Sequence, residues 1–447
     1  MLPTGTPAAD ARQALGRLVG LGLAILVVTS ITPLLFGRLG DNFFIAQAIL
    51  CGVLAAWATR VAERCSERQA LVVILGIALL LRAVLVVVPP LLSTDVLRYV
   101  WDGRVQAAGF NPFRYFPAAP ELQALRDAVI FPKMERADYA VTIYPPAAQM
   151  FFLAVTRLHE SVLAMKLALV ACEGLTIAAV IALLRRLGRP VTRVVAYAWH
   201  PLAVWEIANN GHVDAAMTAM MMLALWLFAS GRGLGAGAVA AAGALFKPFA
   251  LLVLPAFWRP WDWKLPLVVV GVIAAMYAPY LSAGAGVIGF LPTYAAEERL
   301  DSGSAFWLLE VLRWTVGIPG WAVVAYLAAA LAILAALALR AGFRRDRPLA
   351  TTLGDINVLL LAFSFLLSPN YPWYFLMAVP FVALTGSLAG WVLTVGGFAL
   401  YDVLDWDPQV PFYLRDAAFN LAFLGAALAS TIRACRNRAE RVNGGRA

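Results

Sequence analysis

The sequence predicts an all-α polytopic membrane protein with about 12–14 transmembrane helices. Hydrophobic residues make up 62% of the chain and charged residues only 14%, whereas roughly a quarter of a soluble domain is charged. Apolar runs of ~20 residues, the length that crosses a bilayer, recur between residues 18 and 432. We therefore expect residues 1–447 to form one multi-pass domain in the inner (plasma) membrane.

The net charge of +9 does not indicate a nucleic-acid partner. The basic residues form short clusters between apolar runs, as in 185–193 and 343–347, and such clusters mark cytoplasmic loops. The cysteines, at 51, 65, 172 and 435, lie inside apolar runs or beside these basic clusters. This placement does not predict a disulfide framework.

The first part of the chain predicts three helices and a long outer loop. Starting from an inside N-terminus, the helices cover about 18–36, 43–59 and 70–90, and the basic residues at 60–68 mark an inner loop. Residues 91–143 then lie outside. A loop of this length is usually functional, so we expect it to carry the catalytic residues.

The run at 145–157 is too short to cross the bilayer and predicts an interfacial or re-entrant helix. A full-length span at 161–184 then leads to the basic cluster 185–193 on the inner side. The chain returns through 194–208 to an outer turn at 209–214. This order keeps every basic cluster inside.

The middle of the chain contains a broken helix pair. After a span at 215–230, the apolar runs 234–246 and 249–257 are each shorter than a span and meet at Lys247-Pro248. Proline interrupts a helix, so the lysine lies at a break. The later apolar segments, at 265–283, 321–340, 355–367, 375–390, 391–401 and 413–432, alternate with an amphipathic piece at 306–314 and with outer loops at 284–303, 368–374 and 402–411.

Asp95 is the leading candidate for a general base. It follows the Pro89-Pro90 end of a predicted span by five residues, where a headgroup can reach it. If 95–108 is helical, Arg98 and Asp102 share its face, and an arginine between two carboxylates keeps both ionised. The alternatives are that Ser93 or Thr94 caps a helix favoured by Asp95, and that Asp102 only forms an ion pair that fixes the loop.

Five motifs together resemble the bacterial mannosyltransferase-like branch of the GT-C superfamily, which are membrane glycosyltransferases that use polyprenyl-phosphate sugars. The resemblance covers about residues 70–390. The motifs are Ser93-Thr-Asp-Val-Leu-Arg-Tyr-Val-Trp-Asp-Gly-Arg-Val-Gln-Ala-Ala-Gly-Phe-Asn-Pro112, Tyr144-Pro-Pro, Asn210-Gly-His-Val-Asp214, Lys247-Pro248 and Ser368-Pro-Asn-Tyr-Pro-Trp-Tyr374.

The resemblance implies a GT-C-like bundle whose first extracytoplasmic loop carries the catalytic aspartate, which matches Asp95 here. It also implies an active site facing the periplasm or outside, inversion at the anomeric carbon, and usually no nucleotide-sugar site. The expected partners are a lipid-linked sugar donor, a glycan or lipid acceptor and membrane lipid.

Transfer from a lipid phosphate also needs cations for the departing phosphate. Lys247 is the first candidate, with Arg98 or Arg104 assisting through bidentate contacts; the alternative for Lys247 is a lysine that extends to the interface. His212 and Asp214 lie on a tight turn and are candidates for binding sugar or phosphate. A helix cap at this turn is the alternative.

Aromatic residues on rigid backbone predict a sugar-binding rim. Tyr144 precedes two prolines, and Tyr371 and Tyr374 flank Pro-Trp. The alternative is the aromatic belt of a membrane interface, and this is the interpretation we favour for Trp373.

The sequence does not predict a metal cofactor. Asp405-Trp-Asp407 spells the two-carboxylate pattern of metal-dependent nucleotide-sugar transferases, but it stands far from the first loop. No Cys/His spacing typical of a metal site accompanies it. His200 precedes Pro201 in an apolar run and is interpreted as a hydrogen-bonded core histidine.

Together these features predict a hexosyltransferase, with mannose as the expected sugar. The collection of polar residues at one interface favours an enzyme over a carrier, whose ionisable residues gather at mid-membrane. A lipid-linked sugar flippase without catalysis remains the alternative, as does a ligase of preassembled glycans whose acceptor site includes 284–303.

Overall fold

The computed structural model describes residues 7–401 and 410–444, and these residues form helices without any strand. The predicted all-α polytopic class is confirmed. The α-helices are α1 Pro7–Ala62, α2 Glu67–Val86, α3 Asp95–Ala107, α4 Pro146–Leu158, α5 Val162–Arg186, α6 Val195–Ala198, α7 Pro201–Ala203, α8 Asp214–Ala229, α9 Gly233–Ala244, α10 Leu254–Phe257, α11 Lys264–Tyr277, α12 Leu291–Glu297, α13 Trp307–Thr315, α14 Ala322–Phe343, α15 Leu349–Leu367, α16 Val379–Thr385, α17 Leu388–Gly396 and α18 Val410–Gly444.

Six helical segments of the described chain are long and apolar enough to cross a membrane. The first is α1, which breaks at Gly40 (φ 67°) and so covers both spans expected at 18–36 and 43–59. Six is fewer than the 12–14 transmembrane helices expected from the sequence, because several segments predicted as single spans are short or broken. These shorter apolar helices lie at Asp214–Ala229, Gly233–Ala244, Pro248–Phe257, Pro372–Thr385 and Leu388–Leu400.

The long loop after α2 is an ordered layer with its own helix. The expected helix over 95–108 is confirmed as α3, and the loop adds 3₁₀ turns at Pro120–Leu125 and Phe131–Lys133. The short helix expected at 145–157 is α4, of 13 residues. At 1.5 Å per residue α4 measures about 20 Å, which is less than the bilayer core.

The segment expected as a span over 194–208 is instead four short pieces. A 3₁₀ turn and α6 end before His200, α7 follows, and Val204–Asn209 is a π-helix. Pro201 has no N–H for the preceding turn, which accounts for the break. The Nδ1 of His200 accepts from the Leu202 N–H at 3.2 Å and its Nε2 pairs with Thr394 at 2.9 Å, so the core-histidine interpretation is confirmed.

One cluster of buried apolar side chains extends from α1 to α18. Within it, Arg82 on α2 pairs with Glu173 on α5, with its Nε 3.0 Å from Oε2. Both side chains are buried, and a pair of this kind is stable in an apolar interior only when both charges are satisfied. The pair fixes α2 against α5, and α2 carries the chain toward Asp95.

The 402–411 loop and the basic tail are only partly described. Asp405 and Asp407 lie outside the described residues, as does the side chain of Cys435. The other cysteines, Cys51, Cys65 and Cys172, are free.

Close packing of α3 on α4 depends on Gly103. A Cβ at this position would lie 2.6 Å from the Phe152 carbonyl oxygen and closer still to Thr156 Oγ1. We expect Gly103→Ala to lower the stability by about 1–3 kcal/mol, because the overpacked helices must separate. Thermal unfolding in detergent measures this. Gly174→Ala on α5 is the control, since its Cβ meets nothing within 4 Å; equal unfolding midpoints for both variants would contradict the prediction.

Candidate functional site

Asp95, the first residue of α3, lies in a cluster of polar and aromatic side chains from distant parts of the chain, which we call the pocket. The Tyr144 hydroxyl donates to its Oδ2 at 3.2 Å, and Nδ1 of His212 lies 3.7 Å from the same oxygen. The Asp95 side chain remains 36% exposed. Groups from the interior of the protein therefore contact the Asp95 carboxylate, while part of the Asp95 side chain is exposed.

Helix capping does not account for these contacts. Thr94 occupies the N-cap position but makes no side-chain bond to α3, and its hydroxyl donates instead to Glu135 Oε1 at 2.9 Å. The Ser93 Oγ accepts from the Asp95 backbone N–H at 3.2 Å. The N-terminal position of Asp95 suits the helix dipole, yet its carboxylate is directed at Tyr144 and His212.

Two asparagines fix the segment of chain that leads into α3. The side-chain oxygens of Asn209 and Asn210 accept from the backbone N–H groups of Leu91 and Leu92, each at 3.1 Å. Both asparagines are fully buried. The predicted outer turn at 209–214 thus holds the start of the first loop and places Asp95 beside His212.

Lys247 lies at the predicted helix break, between α9 and the 3₁₀ segment Pro248–Val253. Its Nζ is 2.6 Å from Asp214 Oδ2 and 4.9 Å from the ring centroid of Tyr374. The Asp214 side chain is buried, and its Oδ1 has no hydrogen-bond partner. A lysine that only extends to the interface would not make this buried pair, so the structure favours the site interpretation.

Aromatic rings from 371–374 line the same pocket. Trp373 stacks on His212 at 4.4 Å between centroids, and Tyr371 stacks on Trp373 at 4.4 Å. The Tyr374 hydroxyl lies 2.8 Å from that of Tyr294. Trp373, which we interpreted as a belt residue, is therefore part of the site.

Asp102 is buried and bonded on both oxygens. The Arg98 Nε donates to Oδ1 at 2.8 Å, and the Gln149 Nε2 donates to Oδ2 at 2.9 Å. Arg98 also donates to the Ala140 carbonyl at 3.1 Å. These contacts favour the bracing alternative for Asp102, and its catalytic role stays a prediction.

Arg104 is directed away from Asp95. Its guanidinium pairs with Asp127 and donates to Glu160 Oε1 at 2.8 Å, so it ties the loop to the turn between α4 and α5. Its predicted contact with phosphate stays untested, and the structure does not bring it to the pocket of Asp95.

Sequence reasoning missed Glu206. It lies on the π-helix, fully buried, with Oε2 3.3 Å from His212 Nε2. The Asn210 Nδ2 donates to Oε2 at 2.9 Å and the Tyr401 hydroxyl donates to Oε1 at 2.8 Å. A carboxylate within a predicted span is a functional signal, and that signal was present in the sequence.

The segment around α12 packs against the first loop. Glu297 accepts from Arg136 Nε at 2.7 Å and from the Tyr139 hydroxyl at 3.0 Å. The Phe290 N–H donates to the Thr142 carbonyl at 3.0 Å. These bonds place Tyr294 beside Tyr374, so the segment 284–303, expected as an outer loop, contributes Tyr294 to the site.

The environment of Asp95 shifts its pKa. The surrounding protein raises the pKa of the Asp95 carboxyl above its ordinary value by excluding water, while the charge of Lys247 and the hydrogen bond from Tyr144 act in the opposite direction. A carboxylate with a raised pKa is better matched to accept a proton near neutral pH.

Within residues 7–401 and 410–444, no three His, Cys, Asp or Glu side chains are placed to hold a metal ion. The expectation that transfer needs no divalent metal stays a prediction, and Asp405 and Asp407 lie outside those ranges.

The helical bundle and the cluster of polar and aromatic side chains around Asp95 define a multi-pass membrane protein with a candidate active site. Residues 26–261, more than half of the chain, match the family model described as alpha-(1->6)-mannopyranosyltransferase, N-terminal domain. The chain belongs to this family and is a mannosyltransferase-type glycosyltransferase. Neither the curated proteins nor the solved structures give a significant match.

The two interpretations of Asp102 make different predictions. We expect Asp102→Ala to destabilise the fold by about 3–5 kcal/mol, because it leaves the largely buried Arg98 guanidinium without its partner carboxylate. Thermal unfolding in detergent measures this, and the double variant Arg98→Met/Asp102→Leu should recover part of the loss. A variant that unfolds like the wild type but has no activity would instead support catalysis by Asp102.

Proposed function

We propose that the protein transfers mannose from a polyprenyl-phosphate donor to a hydroxyl group of a cell-envelope glycan or lipid. The observation that carries this proposal is the partly exposed Asp95 carboxylate in a pocket that also holds the Lys247 cation. The family match supports mannose as the sugar. Base and cation are the two groups that transfer from a lipid phosphate requires.

In the proposed step, Asp95 takes the proton of the acceptor hydroxyl. The acceptor oxygen forms a bond to the anomeric carbon as the bond from that carbon to the phosphate oxygen breaks, and the electron pair leaves with the polyprenyl phosphate. Attack opposite to the leaving group inverts the anomeric carbon. Tyr144 orients the base through its hydrogen bond.

Lys247 stabilises the departing phosphate. Its ammonium has three N–H donors, and the bond to Asp214 uses one of them. Asp214 holds the ammonium in the pocket and limits its net charge. Arg98 is bonded to Asp102 and Ala140, so we assign it to the support of α3 rather than to phosphate.

The aromatic wall binds sugar. Tyr371 and Tyr374 are half-buried and present ring surface to the pocket. Rings of this kind bury the apolar face of a hexose, while their hydroxyls supply hydrogen bonds. Asp214 is fully buried, so we assign it to the support of Lys247 rather than to sugar.

The pocket faces the periplasm or outside in this proposal. Helix α2 has 20 residues, about 30 Å, and separates Asp95 from the basic residues 60–68. Basic clusters favour the cytoplasmic side. A flippase without catalysis is the weaker alternative because the family match is to a transferase.

The base assignment predicts the effect of Asp95→Asn. We expect transfer from polyprenyl-phosphate mannose to fall by about 10²–10⁴-fold, since the amide cannot accept the proton. Donor binding should persist. Asp138→Asn, an exposed carboxylate of the same loop, is the control and should retain wild-type activity. Full activity of Asp95→Asn would refute the assignment.

The pKa environment predicts a pH effect of Tyr144→Phe. The Tyr144 hydroxyl lowers the pKa of Asp95, so its removal raises that pKa, and the acid limb of kcat/KM moves to higher pH. Tyr139→Phe, which loses a bond to Glu297 instead, should leave the limb in place. An unchanged limb in Tyr144→Phe would contradict this role.

A further inference from the structure

The His212 imidazole is enclosed between two carboxylates. Its side chain is fully buried, with Nδ1 3.7 Å from Asp95 Oδ2 and Nε2 3.3 Å from Glu206 Oε2. Neither ring nitrogen has a partner in good hydrogen-bond geometry. The ring therefore lies in line between the proposed base and a carboxylate deeper in the bundle, and no other group satisfies it.

The backbone places this ring. The His212 N–H donates to the Glu206 carbonyl at 2.9 Å, which closes the end of the π-helix. Gly211 has φ 71°, and a Cβ there would lie 3.0 Å from Val96 Cγ2. The turn thus needs glycine for both its conformation and its close approach to α3. Trp373 stacks on the ring and fixes its plane.

Glu206 lies at the buried end of the row formed by Asp95, His212 and Glu206. Its described hydrogen-bond donors are neutral groups, the Asn210 amide and the Tyr401 hydroxyl. A buried carboxylate is unfavourable unless a charge or several donors satisfy it. The nearest group that can pass a proton to Glu206 is the imidazole of His212.

We propose that His212 and Glu206 form a proton relay that takes the proton from Asp95 after each transfer. This inference rests on the proposed function, since it assumes that Asp95 receives the acceptor proton. It changes the sequence-based role of His212, because a fully buried ring supports the base rather than contacting sugar. His212 and Glu206 are positioning residues that act through Asp95.

In the relay, neutral His212 carries its proton on Nε2, toward Glu206, and presents the unprotonated Nδ1 to Asp95. When Asp95 has taken the acceptor proton, it passes this proton from Oδ2 to Nδ1, and the Nε2–H passes to Oε2 of Glu206. The Asp95 carboxylate is restored, His212 stays neutral with its proton on Nδ1, and Glu206 holds a proton while the product occupies the exposed side of Asp95. After the product leaves, the proton returns by the reverse steps and is released through that side. The contacts of 3.3–3.7 Å are expected to shorten in the complex with substrate.

Other titratable groups surround the relay. Burial, and after it the charge of Lys247, lowers the pKa of His212 well below its usual range. The relay therefore keeps the imidazole neutral before and after the proton moves. Further titratable groups around the relay are Glu135 in the first loop, Tyr99 on α3, Tyr144 before α4, Tyr371 and Tyr374 beside Trp373, and Tyr401 after α17.

The test is the near-isosteric variant Glu206→Gln in the full-length protein. We expect kcat for transfer from polyprenyl-phosphate mannose to fall by about 10–100-fold with KM unchanged, because substrate binding does not involve Glu206. In mixtures of H₂O and D₂O, the wild-type rate should depend non-linearly on the deuterium fraction, because more than one proton moves in the rate-limiting step. The variant should give a linear dependence.

His200→Gln is the matched control, since His200 is also buried and hydrogen-bonded but lies outside the site. It should lower the unfolding temperature without changing the isotope dependence. Wild-type kcat and wild-type isotope dependence in Glu206→Gln would overturn the relay. If that variant does not fold, His212→Asn, which cannot carry a proton, is measured in the same way, and a wild-type isotope dependence there overturns the relay.

The two proposals fail in different ways. If the proposed function is wrong, the wild-type protein gives no transfer with this donor, or Asp95→Asn remains active. If only the relay is wrong, Asp95→Asn is inactive while Glu206→Gln behaves like the wild type.

Discussion

The site depends on the hydrogen bonds from Leu91 and Leu92 to the buried amides of Asn209 and Asn210. These bonds join two segments that are more than a hundred residues apart in the chain. Buried backbone N–H groups need partners, and here the π-helix turn supplies them. Because the first loop is fixed to this turn, Asp95 begins its helix beside His212, and the polar groups of both segments share one pocket.

The sequence was sufficient for the class of protein, and it singled out several of the candidate residues that the structure brings together. Apolar run length predicted the helical membrane bundle, and the position of Asp95 after Pro89-Pro90 predicted a carboxylate that remains accessible. Lys247 was predictable because a proline follows it and breaks the helix. Each of these predictions uses local information, either run length or the identity of a neighbouring residue.

The rest of the site needed tertiary contacts. The sequence could not indicate Gln149 as a partner of Asp102, because no local pattern shows that α4 packs against α3. Trp373 was interpreted as a belt residue because an aromatic residue near an interface has the same local sequence whether it faces lipid or a buried histidine. Glu206 was conspicuous as a carboxylate within the apolar run 194–208, but its contact with His212 depends on the division of that run into short helices, which apolar run length does not indicate.

The pocket combines two parts of the chain with different tasks. The base, the histidine and the lysine all lie within residues 26–261, the part that the family model describes. The rings of Tyr294, Trp373 and Tyr374, which form the opposite wall, come from outside that part. In the proposed function, the base and the cation thus come from one part of the chain and most of the ring surface for sugar from another. Substitutions at Tyr294 or Tyr374 would reshape the space for sugar or acceptor, whereas Trp373 and Tyr401 contact His212 and Glu206 and so link the two parts.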